Sequence, residues 1–289
     1  MLNRGLATMT GKPAPAAAWR TLVSTQDIVG IKVYSSPGPN SGTRVAVAGG
    51  VVEGLLAAKI PSTNIIVWDK QAEDLRQAGF FELSTRYGIR VEGSAAGGYD
   101  ETNFYTPEKP ILGQLLWGDF EFGREGESIG RKSFVSKLVS KGMTKIINIP
   151  PLLNHYRAGV SGNLYSLAMG SVDNTMRFEV DSERLAAAVP EIYALPALSD
   201  RVVLNIVDAL ICQYEGEHSI RLHRSATLNE LRFSTDPVAL DVLSLQELNR
   251  QRQAVSLPAS TNRFELFPNA SELELGVSDP NNIEVERLK

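Results

Sequence analysis

The chain has 289 residues, 43% of them hydrophobic, and a net charge of −4, enough apolar material for one elaborate α/β domain or two small ones. A pI near 5.6 without any lysine–arginine cluster argues against nucleic acid as the main partner, because binding to a phosphate backbone draws on a basic excess. No apolar run reaches the roughly 18 residues needed to cross a bilayer, and one cysteine, Cys212, excludes both a disulfide framework and a four-cysteine iron–sulfur cluster within this chain.

Residues 1–26 read as a short helix followed by a Pro-Ala linker, without the apolar centre of a secretory signal. The cytoplasm is therefore the default location, and export the expectation if the chain is a trimmed mature form. Residues 27–255 read as a single α/β domain. IVGIKVY is a β-rich run and SSPGPNSG a loop of breakers; Thr43 is a candidate N-cap for the helical spacing of RVAVAGGVVEGLLAAKI, and NIIVWD is a buried strand ending at Asp69. Two apolar strands joined by such a helix predict a right-handed parallel βαβ unit. The glycines of the loop precede a helix start, as in phosphate-cradling turns. The Walker lysine and the Gly-x-Gly-x-x-Gly spacing are missing, which leaves a plain connection as the simpler reading.

AEDLRQAGF predicts a helix and GIRVEG a strand. Residues 93–132, rich in Gly and aromatics, show no sustained period and read as an insertion acting either as a lid or as a contact in a homo-oligomer. SFVSKLVSKGM predicts an amphipathic helix stopped by Gly142. In KIINIPPLLNHYRAGVSGNLYSLAMG, the two prolines predict the end of a buried strand and then a polar loop that carries Asn154 and His155. SERLAAAVPEIYALPAL predicts a helix, RVVLNIVDALI a strand with Asp208 near its carboxyl end, and TLNELRF a strand leading to a helix that opens at Pro237. Residues 256–289 read as a polar C-terminal strap.

Three separated motifs, DIVGIKV, HYRAGVSGNLYSLAMG and STDPVALDVLS, occur in an order that resembles the bacterial and archaeal family called domain of unknown function 362. The resemblance implies an α/β fold over roughly Asp27 to Arg252, and it supports a site role for Lys32 in the opening motif. Some relatives carry ferredoxin-like cluster modules, an association with redox chemistry for which this chain would need a borrowed cofactor. The family's central motif carries lysines at positions that here look like Asn154 and Tyr165.

The expected fold is a mostly parallel, doubly wound α/β sheet with helices on both faces. Parallel strands all end on one side, so Asp69, Asn154, His155, Asp208 and Asp236 are expected at one edge, where such sheets bind ligands. One histidine among carboxylates suits acid–base work, with His155 and Asp208 as the catalytic candidates. It equally suits a divalent metal held by Asp69, His155 and Asp236. Simple capping also accounts for Asp236 in S-T-D-P. Lys32, Asn154, Ser161, Asn163 and Tyr165 are the candidate ligand-binding residues: Lys32 interrupts an apolar strand, and Ser161 and Asn163 open a helix whose amides suit an anion. Arg131 and Lys132 reach the same crevice from the insertion in this reading. His218 and His223, in a polar segment, read as solvated. The expected activity is that of an enzyme or binding protein for a small anionic metabolite; the alternative is a non-catalytic binding or assembly protein that has lost the family's lysines.

Overall fold

Period-two alternation along the strands sorts their side chains onto two cores. The computed structural model describes residues 1–216, 221–259 and 265–288. In chain order the strands are β1 (Val29–Val33), β2 (Ile65–Asp69), β3 (Arg90–Gly93), β4 (Tyr99–Tyr105), β5 (Ser133–Ser136), β6 (Lys145–Ile149), β7 (Pro151–His155), β8 (Gly159–Val160), β9 (Val202–Gln213) and β10 (Ser225–Ser234). The main sheet has the order β3–β2–β1–β6–β9–β7–β8, with β10 also on β9; only β8 and β10 pair antiparallel. The expected mostly parallel α/β architecture is what forms.

Ile31, Val33, Val67, Ile147 and Leu204 face one core, where they meet Trp19, Val51 and Val52 of the helices Pro15–Leu22 and Val45–Ala57. Ile66, Trp68, Ile146 and Val207 face the other, under Leu164, Leu167 and Ile192 of the helices Asn163–Ser171 and Ser182–Tyr193. No helix among the described residues is long and apolar enough to cross a membrane.

Four segments differ from the sequence expectation. The Pro-Ala stretch is not a linker: Pro15 opens the helix Pro15–Leu22, where a missing N–H is harmless, and Trp19 is completely buried. SFVS is a strand, not helix, because β5 pairs with β4 and so gives the 93–132 insertion a two-stranded base. The C-terminal stretch contains the helix Leu266–Glu272, whose Asn269 Nδ2 donates to Ala186 O at 3.0 Å.

The fourth concerns the double proline. The backbone breaks pairing at Pro150 but resumes it at Pro151, since Pro150 O still accepts the Asp208 N–H at 2.9 Å. Lacking N–H groups, the prolines remove two ladder donors while leaving their carbonyls usable. With β10 on one side of β9, β6 and β7 follow each other along the other. Asn154 and His155 are thus residues of a buried strand rather than of a loop, each 5% exposed.

Candidate ligand-binding site

Cross-strand register places Lys32, Asn148 and Asn205 side by side on β1, β6 and β9, a polar row on a face otherwise apolar. The helix Asn163–Ser171 crosses this row. Asn148 Nδ2 donates to Asn163 O at 3.0 Å, Lys32 Nζ donates to Ser166 Oγ at 3.0 Å, and Ser94 Oγ donates to Gly170 O at 2.7 Å. Lys32 spends its three donors on Val33 O (2.7 Å), Ser166 Oγ and Asp69 Oδ1 (2.9 Å). Asp69 also accepts from Ser35 N and Ser35 Oγ, both at 2.7 Å, and from Lys70 N at 2.8 Å. Burial lowers the pKa of the Lys32 ammonium and the Asp69 carboxylate opposes the shift. Lys32 has no exposed surface and Asp69 only 5%. The pair ties β1, β2 and the crossing helix together, with all three Lys32 donors spent inside the protein.

The N-terminus of that helix is already filled. Asp241, from the helix Pro237–Ala254, accepts from Asn163 N (2.7 Å), Asn163 Nδ2 (2.8 Å) and Leu164 N (2.9 Å). Gly162 permits the approach, since a Cβ there would lie 2.2 Å from Asp241 Oδ1. Ser161 does not cap the helix: its N–H donates to Leu153 O at 2.8 Å, and its Oγ is buried without a partner among the described residues. Ser161 and Asn163 therefore belong to the interior, with Asp241 standing where an anionic ligand was expected.

The strand-end carboxylates do not converge. Asp69 is held by Lys32. Asp208 sits mid-strand in β9 and takes Arg44, accepting from its backbone N–H at 2.9 Å and pairing with its guanidinium at 3.0 Å. Thr43, the predicted cap, instead accepts the Tyr34 N–H. Asp236 lies at the opposite edge of the sheet, because β10 runs antiparallel to β9 and its last residue, Ser234, pairs with Asn205 near the start of β9. There Asp236 caps its helix through Ala239 N (2.8 Å) and accepts from Val277 N (2.9 Å). The trio Asp69, His155 and Asp236 is not assembled, and among the described residues no group of three or more His, Cys, Asp or Glu is disposed to hold a metal ion. Arg131 donates to Glu127 O and Lys132 lies over the Phe104 ring, so neither joins Lys32. His223 is exposed, His218 lies outside the described residues, and burial pushes the Cys212 thiol up to about 12.

What remains is the neighbourhood of His155. Its Nδ1 accepts from Ala158 N at 3.0 Å and from Arg157 N at 3.3 Å, which closes the β7–β8 turn and leaves Nε2 as the proton-bearing nitrogen of the neutral ring. Tyr165 packs against it with ring centroids 4.3 Å apart, so Tyr165 supports the ring from the crossing helix. Asn154 and His155 line a pocket of about 280 Å³ whose far wall is the last turns of the helix Pro237–Ala254. Arg252 and Asn249 supply polar groups there, Leu245 and Leu248 an apolar floor, and Tyr214 a side wall. Arg252 is oriented by donating to Tyr214 O (3.1 Å) and Pro258 O (2.8 Å). Neither aspartate nor glutamate is among the described residues of the lining.

Sequence reasoning missed Arg252, Asn249 and Tyr214. Arg252 has the ordinary signature of a basic residue in a helix's last turn, and only the packing of that helix over β7 distinguishes it. A family model described as Domain of unknown function (DUF362) matches residues 29–246 of the chain. No curated protein matches it.

Proposed function

The chain belongs to the DUF362 family, and from that premise we propose that it binds a small anionic metabolite with an apolar portion in the pocket between the β7–β8 hairpin and the helix Pro237–Ala254. The observation that carries this reading is the charge of the lining: one guanidinium, one imidazole and two carboxamides, with no carboxylate among its described residues. Arg252 pairs with the anionic group, Asn154 and Asn249 donate to it, and Leu245 and Leu248 cover the apolar part. Binding is favoured over acid–base catalysis by His155 and Asp208, because Asp208 is committed to Arg44 and the His155 Nδ1 to two backbone donors.

Calorimetric titration with benzoate, succinate and phenyl phosphate tests it. Wild-type protein should bind at least one of the three, and Arg252→Gln should weaken that binding about tenfold or more, the scale of a lost charge-assisted hydrogen bond. Equal affinity in the variant, or no binding of any of the three, overturns the assignment.

A further inference from the structure

Two lysines flank the end of β2 and differ in their surroundings. Lys32 is fully buried and paired with Asp69. Lys70, the residue after the strand, is half-buried; its Nζ donates to Thr175 Oγ1 at 3.1 Å, and no carboxylate among the described residues comes within ion-pairing distance of it. Its backbone is fixed, with the N–H donating to Asp69 Oδ1 and the carbonyl accepting from Ala95 N at 3.1 Å.

Lys70 lines a cavity of about 550 Å³ between the ends of β2 and β3 and the 93–132 insertion. Ala72, Ala95 and Ala96 contribute small side chains to its lining, Glu73, Asp119 and Glu179 contribute carboxylates, and Trp117, 89% exposed, stands at the opening. Burial lowers the pKa of Lys70, against the opposing pull of Glu179, Asp119, Asp173 and Asp69. Two of these carboxylates tie the insertion to its surroundings: Asp119 accepts from Leu116 N and Asn174 N, and Asp173 from Phe120 N and Phe134 N. Together they surround Lys70 with negative charge and so disfavour an anionic ligand. A half-buried lysine without an ion-pair partner among the described residues, facing a cavity, can serve as an amine nucleophile.

We propose that Lys70 forms an imine with a small uncharged aldehyde or ketone that enters this cavity and lays its flat face on Trp117. The amine nitrogen attacks the carbonyl carbon. The resulting carbinolamine then loses its oxygen as water, which carries away both amine protons, and a C=N bond replaces C=O without any oxidant or reductant. This site is separate from the His155 pocket and does not depend on the reading given there.

The full chain is treated at pH 6.5 with benzaldehyde and sodium cyanoborohydride, which traps imines as stable benzyl amines, and modified lysines are located by peptide mass mapping. Lys70 should be modified faster than the exposed Lys109 and Lys141, since a lowered pKa raises the fraction of neutral amine at this pH. Trp117→Ala should slow modification by benzaldehyde and leave that by acetaldehyde unchanged. In Lys70→Arg the rapid phase of labelling should disappear. Modification of Lys70 at or below the rate of Lys109 in the wild-type protein overturns the proposal, a result that requires no variant to fold.

Discussion

Asp241 accepts two hydrogen bonds from Asn163, at 2.7 Å from the backbone N–H and 2.8 Å from the side-chain amide, across 78 residues of sequence. One carboxylate thus docks the helix Pro237–Ala254 onto the start of the helix that crosses the sheet. Docking of this kind stabilises two elements together, by satisfying orphan amides of one with a side chain of the other.

The first prediction follows from the same carboxylate. Desolvation pushes Asp241 up to about 7, even against its three N–H donors. The folded chain therefore keeps this proton up to about pH 7, whereas the unfolded chain releases it near 3.8. More protons bound in the folded state means stability falls as pH rises from about 4 to about 7, by at most roughly 1.4 kcal/mol per unit from this group. Asp173, pushed up to about 6, adds a similar slope. Asp241→Asn should remove only the first contribution, so urea unfolding of variant and wild type should differ by an amount that changes across pH 4 to 7. A constant difference would show that Asp241 does not titrate there.

A second prediction concerns the pair Lys32–Asp69. Removing the carboxylate strands a buried ammonium, and Asp69→Ala should destabilise by about 3–5 kcal/mol. Removing the ammonium leaves Asp69 with Ser35 N, Ser35 Oγ and Lys70 N as donors. Lys32→Met should therefore be the milder change, and the reverse order in urea titrations would contradict the contact pattern described.

How much of this was legible in the chain depends on whether the signal is local. The strands β1, β2, β3 and β6 and the helices between them announce themselves by apolar period and breaker residues, and the parallel sheet follows from their alternation. Pairing partners are not local. Nothing in TLNELRFSTDP says that this strand runs antiparallel to β9, and that one reversal carries Asp236 to the wrong edge for a shared site. The two prolines likewise suggest an ending, because the carbonyl that keeps the pairing alive belongs to Pro150 but its donor comes from Asp208, 58 residues later. Among the candidates, Asn154 and His155 line a pocket, whereas Lys32, Ser161, Asn163 and Asp69 proved to be interior ties whose partners, Ser166, Leu153, Asp241 and Ser35, only the fold reveals.

The third prediction tests the N-terminal helices as part of the core. Gly54 lies in the helix Val45–Ala57 against the Trp19 indole, and a Cβ there would come 2.0 Å from Trp19 Nε1. Glycine to alanine in a helix ordinarily stabilises by about 1 kcal/mol. Here Gly54→Ala should instead destabilise by about 1–3 kcal/mol through overpacking, with a shift in tryptophan emission as Trp19 moves. A stabilised variant would mean that the segment packs loosely.

The last prediction weighs His155 against Ile147. Ile147 is fully buried in β6, and Ile147→Ala should cost about 2–5 kcal/mol by leaving a cavity. His155 is 5% exposed and its Nδ1 receives the N–H groups of Arg157 and Ala158, so His155→Ala removes a turn acceptor as well as packing against Tyr165. An unmet pair of partly buried donors costs about 1–3 kcal/mol, which places this variant below wild type but short of the cavity mutant. Binding of a small anion should rank the other way, weakened by His155→Ala and retained by the folded fraction of Ile147→Ala. Denaturant titration and calorimetry on the same two proteins decide the matter: a His155→Ala variant as stable as wild type would remove the ring from the hairpin turn, and one that still binds the anion with wild-type affinity would remove it from the pocket.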